Sequence, residues 1–202
     1  MTDFGGAMFM LRRRLPVLSA LAVAAGALSS ASSASAAAEP PVVVNAGTAS
    51  LPGQVSQATC PEGTQLVGGG YRVFPVKNGL GEVADFIATN APSATVPNTW
   101  EVRALFGRAG AYAMCATSAA QAPAVVVSAW AQKDMTAKAT CPAGTQLTGG
   151  GYDSRPAVNG MNDNKDEIVI NAPAAQTPNT WMARMDKGEA RAIAMCAEGD
   201  LT

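Results

Sequence analysis

A single twelve-residue stretch, Cys60-Pro61-Glu62-Gly63-Thr64-Gln65-Leu66-Val67-Gly68-Gly69-Gly70-Tyr71, constrains this chain more than any other feature, because it occurs twice. It returns as Cys141-Pro142-Ala143-Gly144-Thr145-Gln146-Leu147-Thr148-Gly149-Gly150-Gly151-Tyr152, an offset of 81 residues (141 minus 60). The same offset carries Asn90-Ala91-Pro92 to Asn171-Ala172-Pro173, Pro97-Asn98-Thr99-Trp100 to Pro178-Asn179-Thr180-Trp181, and Ala113-Met114-Cys115-Ala116 to Ala194-Met195-Cys196-Ala197. Laid on each other, Cys60–Ala116 and Cys141–Ala197 agree at 31 of 57 positions. A period this long predicts two domain-sized units, whereas a solenoid needs shorter and more numerous repeats.

Comparing the copies separates constraint from drift. Cys, Gly, Pro, Asn, Trp and small apolar residues stay, which is the vocabulary of backbone geometry and packing. Arg72 becomes Asp153, Glu101 becomes Met182, Leu105 becomes Asp186 and Arg108 becomes Glu189. The retained set reads as scaffold and the drifting set as free surface, which argues against one polar active site shared by both copies.

Within each copy the pattern is β. Val42-Val43-Val44 and Val125-Val126-Val127 each open a strand-like segment, with a two-residue difference in the length leading to the first Cys. Trp100, Val102, Ala104 and Phe106 alternate with Glu101, Arg103 and Leu105, the period of two of a half-buried strand. Ala111, Ala113 and Cys115 alternate in the same way. Asn78-Gly79 and Asn159-Gly160 predict type I′ hairpin turns. Five or six short strands per copy predict an all-β chain: two tandem antiparallel β-sandwich or barrel units, 39–120 and 121–202. Glycine inside a strand marks a bulge or the close approach of another group. A ring is therefore expected over each triple glycine, Trp100 over Gly68, Gly69 and Gly70, and Trp181 over Gly149, Gly150 and Gly151. A phosphate-cradling loop is disfavoured, since neither a following helix pattern nor a Lys accompanies the glycines.

Upstream of the repeats, Arg12-Arg13-Arg14, an apolar run from Leu15 to Leu28 and Ala34-Ser35-Ala36 predict a secretory signal peptide over 1–38. Without it the chain carries 11 Lys and Arg (14 minus 3) and 14 acids (15 minus 1), a net charge of about −3. No basic block then remains to attract nucleic acid or an anionic membrane. An exported chain with two Cys per repeat at matching positions reads as disulfide-bonded. Duplication of a unit that folded alone favours Cys60–Cys115 and Cys141–Cys196 over the other two pairings.

The absence of His excludes Ser-His-Asp and Cys-His catalysis and every His-ligated metal. Carboxylates remain, and Glu82 and Asp85 recur as Asp163 and Asp166, a candidate acid pair for glycoside hydrolysis. The competing reading makes them a polar hairpin arm, with Asp85 held by Arg103 and Asp166 by Arg184. Asn162, Asn164 and Asp166 offer alternating oxygens that faintly suggest a calcium loop, but the glycine and terminal glutamate of an EF-hand are missing. No cofactor is expected.

The pattern C-P-x-G-T-x-L-x-G-G-G-Y, then N-A-P, N-T-W and A-x-C-A, resembles a type of small secreted actinobacterial protein whose modules also occur at the ends of longer surface or phage-tail-like chains. The resemblance covers both repeats. It implies export, disulfides and a β fold, and it brings no catalytic residues, the group having no assigned activity. The expectation is a secreted, non-enzymatic tandem module that either binds an extracellular partner, a carbohydrate or a protein, or is associated with a surface it coats. A carboxylate-dependent polysaccharide hydrolase and a secreted protease inhibitor are the alternatives. The short connection from Thr117 to Ala124 further predicts that the two units sit side by side about a pseudo-twofold axis.

Overall fold

Small side chains on the inner faces let the strands of this protein stack closely. In a computed structural model, which describes residues 39–118, 121–157 and 166–198, every regular element is a β-strand. The predicted signal peptide lies outside the described residues. The first copy contributes β1 (Val42–Asn45), β2 (Val55–Thr59), β3 (Thr64–Phe74), β4 (Ile87–Pro92), β5 (Thr99–Ala104) and β6 (Arg108–Thr117). The second repeats the order as β7 (Ala124–Val127), β8 (Ala137–Thr140), β9 (Thr145–Arg155), β10 (Ile168–Pro173), β11 (Thr180–Met185) and β12 (Glu189–Glu198).

Each copy is a sandwich of two antiparallel three-stranded layers, β1-β6-β3 over β2-β5-β4 and, in the second copy, β7-β12-β9 over β10-β11-β8. The alternation read from the sequence is what fills the space between layers. Ala109, Ala111, Ala113 and Cys115 of β6 are all fully buried, as are Val102 and Ala104 of β5 facing them. Bulges fall at matching places, between Leu66 and Gly68 and between Ile87 and Thr89, and both recur in the second copy, between Leu147 and Gly149 and between Ile168 and Ile170. Cys60 is bonded to Cys115 and Cys141 to Cys196, with Cα atoms 5.7 and 5.6 Å apart. Each bridge closes a separation of 55 residues and ties the end of the β2 or β8 arm to the last strand of its copy. Chain-entropy reasoning values such a loop at about 4 kcal/mol.

Two local expectations are corrected. Asn78-Gly79 does not form a type I′ turn. The Asn78 side chain accepts the amides of Leu80 and Glu82, each at 3.0 Å, and the positive φ of 81° falls on Gly81 instead. An Asx cap has displaced the hairpin turn that the dipeptide alone suggests. Asn159-Gly160 lies outside the described residues. The first strands also align differently: Val42 pairs with Cys115 and Ala124 with Cys196, so the second copy is one residue shorter here, not two.

The copies do not hang as separate beads. β4 of the first pairs with β9 of the second, Thr89 opposite Asp153 and Asn90 opposite Tyr152, and the result is one six-stranded sheet, β2-β5-β4-β9-β12-β7. A full pseudo-twofold would pair β3 with β10 in the same way. Those two strands instead stand as edges of their own layers, so only half of the expected symmetry is realised.

Candidate functional site

The residues retained in both copies turn out to hold backbone. Asn98 and Asn179 adopt positive φ, 57° and 53°, a conformation Asn tolerates better than most residues. The Asn98 side chain accepts from the Leu66 amide at 2.7 Å and donates to the Thr64 carbonyl at 2.8 Å, while its own carbonyl accepts from the Cys60 amide at 2.9 Å. Asn179 makes the same three bonds to Leu147, Thr145 and Cys141. One asparagine thus fixes each Cys-Pro-x-Gly-Thr turn, whose Thr64 or Thr145 hydroxyl donates back to Pro61 or Pro142.

The tryptophan that follows lies over the middle glycine of each triplet and not over all three, because neighbouring strand residues face opposite sides of the sheet. A Cβ on Gly69 would overlap Trp100 Cγ and Cδ2, and one on Gly150 would sit 2.5 Å from Trp181 Cδ2. Gly68 and Gly149 face the thioethers of Met114 and Met195. Each indole N–H donates to the asparagine of the Asn-Ala-Pro motif, Trp100 to Asn90 at 2.8 Å and Trp181 to Asn171 at 2.9 Å. Trp100 is buried and Trp181 half-buried.

Asp85 and Asp166 are committed to backbone amides, which corrects the expected pairing with Arg103 and Arg184. Asp85 accepts from Phe86 at 2.8 Å, Phe106 at 3.0 Å, Gly107 at 2.9 Å and, more weakly, Val76 at 3.4 Å. Asp166 accepts from Glu167 at 2.9 Å, Lys187 at 2.8 Å, Gly188 at 2.6 Å and Ala157 at 2.9 Å. Each carboxylate therefore staples the turn between the fifth and sixth strands of its copy to the approach to the fourth. Glu82 is exposed in the loop before β4, bonded through its carboxylate to Asn78 Nδ2 at 2.9 Å. Asp163, Asn162 and Asn164 lie outside the described residues, and among those described no three His, Cys, Asp or Glu side chains are grouped to hold a metal.

Arg103 turns to the joint. Its Nη2 lies 3.4 Å from Asp153 Oδ1, which also accepts from the Thr89 hydroxyl at 2.8 Å. Arg191 donates twice to Asp153 Oδ2, at 3.1 and 2.8 Å. Asp153 therefore links β4, β5, β9 and β12, two copies through one carboxylate. This overturns the reading of the Arg72-to-Asp153 change as free surface drift. Around it Tyr152 donates its hydroxyl to the Ile87 carbonyl at 2.9 Å and Ser154 to the Ala88 carbonyl at 2.7 Å, both buried. Burial, with Tyr71 nearby as a lesser cause, pushes the Tyr152 phenol well above its ordinary value of 10. A Cβ on Gly151 would meet Ala91 Cα at 2.6 Å, so β4 can approach β9 only over a glycine. Gly70, its counterpart, has open space above it.

On the side of the joint where β3 and β10 fail to pair, a cleft of about 470 Å³ opens. Tyr71 and Val73 of β3, Ile168 of β10, and Phe86, Ile87 and Tyr152 line it, with Asp85 and Glu167 the charged residues at its wall. The cleft thus gathers related residues from both copies: Tyr71 with Tyr152, and Ile87 with Ile168. A concave, mostly apolar surface with a few polar groups is the ordinary form of a ligand site. No single-copy motif announces it; it exists because two different edges meet. Comparison with protein-family models, curated protein sequences and solved structures found no match to this chain.

Proposed function

We propose that the chain is a secreted, non-enzymatic binding module whose joint cleft takes part of an extracellular carbohydrate or protein. The observation that carries this reading is the occupation of Asp85: both its oxygens accept backbone amides, so the cleft offers rings and aliphatic side chains rather than a free acid pair. Two disulfides fit an oxidising compartment, and export through the predicted signal peptide would deliver the chain there. No described helix is long and apolar enough to cross a membrane.

The hydrolase reading draws on one observation, that Asp85 and Glu167 both border the cleft. Glycoside hydrolysis needs one carboxyl able to give a proton and another facing the sugar, and an oxygen held by several amides serves neither role well. The inhibitor reading draws on Leu80, 85% exposed on the Asn78–Gly81 turn. A glycan array run beside turnover assays on peptidoglycan and chitin separates the readings. Binding without turnover, lost in a folded Tyr71→Ala variant, supports the module. Turnover abolished by Glu167→Gln would replace it with the hydrolase, and protease inhibition abolished by Leu80→Gly with the inhibitor.

A further inference from the structure

The outer face of the β1-β6-β3 layer and the matching face of β7-β12-β9 differ in one respect that points to a ligand. In the second copy Trp130 covers this face. Arg155 of β9 sets its guanidinium 4.0 Å from the indole centroid and Arg191 of β12 sets its own 4.8 Å away. By the offset of 81, their counterparts in the first copy are Phe74 and Gly110. Both line an open pocket of about 240 Å³ together with Arg72, Tyr112 and the loop after β1.

The loops explain the difference. In the first copy three residues, Gly47, Thr48 and Ala49, lie between the amides that Ala46 and Ser50 donate to Ala111 and Ala109. In the second copy only Ala129 and Trp130 lie between the equivalent amides of Ser128 and Ala131, which go to Ala192 and Ala190. One copy therefore supplies a ring from its own chain to a face that the other leaves open.

The open pocket is built, not frayed. The Gly47 amide donates to Asn45 Oδ1 at 2.8 Å, the Thr48 amide to the Ala46 carbonyl at 2.9 Å, and Arg108 Nε to the Ser50 carbonyl at 3.0 Å. Arg72 lies 4.7 Å from the Phe74 centroid, so a guanidinium and a ring already stand together. Gly110 leaves its floor bare, since a Cβ there would meet nothing within 4 Å. The volume suits one ring system and is small for a drug-sized ligand.

We infer that this pocket is a binding site for an electron-rich planar ring, an indole or phenol, which takes the place Trp130 occupies in the second copy. Arg72 supplies the cation for such a ring, as Arg155 and Arg191 do for Trp130, and the attraction is that of a cation for a π face. The ring comes either as a free small molecule or as a Trp or Tyr side chain displayed by another protein. This site is separate from the joint cleft and stands whether or not that cleft binds anything.

The test is a titration of the ¹⁵N-labelled full chain with indole, with a Gly-Gly-Trp-Gly-Gly peptide and with cyclohexanol, following backbone amide shifts. Saturable shifts of the Gly47, Thr48, Gly110 and Tyr112 amides with indole are expected, at a dissociation constant of about 1 mM for one small ring. Peptide binding at least as tight assigns the ring to a protein partner; binding of indole alone assigns it to a free molecule. Gly110→Leu fills the floor and should weaken binding at least tenfold while the remaining spectrum stays folded. Thr48→Trp supplies the ring internally and should raise Tm and abolish indole binding. No shifts with either aromatic probe, equal shifts with cyclohexanol, or indole binding unchanged in a folded Gly110→Leu would overturn the inference.

Discussion

At the scale of single residues, the repeated Asn98 and Asn179 and the repeated Asp85 and Asp166 side chains hold backbone amides, and the middle glycine of each triplet is where an indole comes close. Trp100 is buried against Gly69 with its N–H satisfied by Asn90, so Trp100→Ala should cost about 3–5 kcal/mol in chemical denaturation, the usual range for a buried aromatic. Trp181 makes the same contacts but is only half-buried, and Trp181→Ala should cost clearly less. Equal losses would mean that the burial difference carries no energy. Asp85→Ala deprives the Phe86, Phe106 and Gly107 amides of their acceptor. Buried donors left unpaired are expensive, so a loss of about 2 kcal/mol or more is expected, with Asp85→Asn intermediate because it keeps one acceptor oxygen. Parent-like melting of Asp85→Ala would show that the carboxylate is dispensable to the fold.

At the scale of elements, the β4–β9 pairing couples stability to a titrating group. Tyr152 lies buried at this pairing with its phenol raised above 10, mainly by loss of solvent and secondarily by Tyr71. A raised folded-state value means the neutral form is favoured by folding. The contribution is complete below pH 10, where the unfolded chain also keeps its proton. It then falls as the pH climbs from 10 through the folded-state value. Urea denaturation measured at rising pH should show stability declining above pH 10, and Tyr152→Phe should flatten that limb. Since the variant also gives up a hydrogen bond to the Ile87 carbonyl, it should start about 1 kcal/mol lower at neutral pH. An alkaline limb unchanged in Tyr152→Phe would place the titration elsewhere.

At the scale of the whole molecule, much of the architecture is legible from the chain alone and the joint is not. The offset of 81, the period-two patterns and the paired cysteines point directly to two all-β units with internal bridges, because they depend on contacts within one copy. Asp153 illustrates what stays hidden. Comparison of copies treats every difference as freedom, yet a joint between unlike edges asks different things of each copy, so its residues diverge for the same reason that they matter. Gly151 is hidden more deeply, since Gly70 matches it although only Gly151 has a strand above it. The prediction at this scale follows from β4, buried along nearly its whole length. Chains 39–120 and 121–202 expressed apart should bind each other when mixed in size-exclusion chromatography, and two soluble monomers with no mutual affinity would contradict the joint.

The half-made symmetry also bears on which strand borders stay open to other chains. Edge strands with unpaired amides and carbonyls recruit other chains unless something blocks them. Here β4 and β9 cancel each other by pairing, while β3 and β10 both border the same cleft, within one molecule. Fusing two copies has therefore closed two adhesive borders by pairing them and left the other two facing one cleft. A partner that pried the copies apart would release β4 and β9 as well, so loosening this joint should be felt first as aggregation and only afterwards as loss of fold.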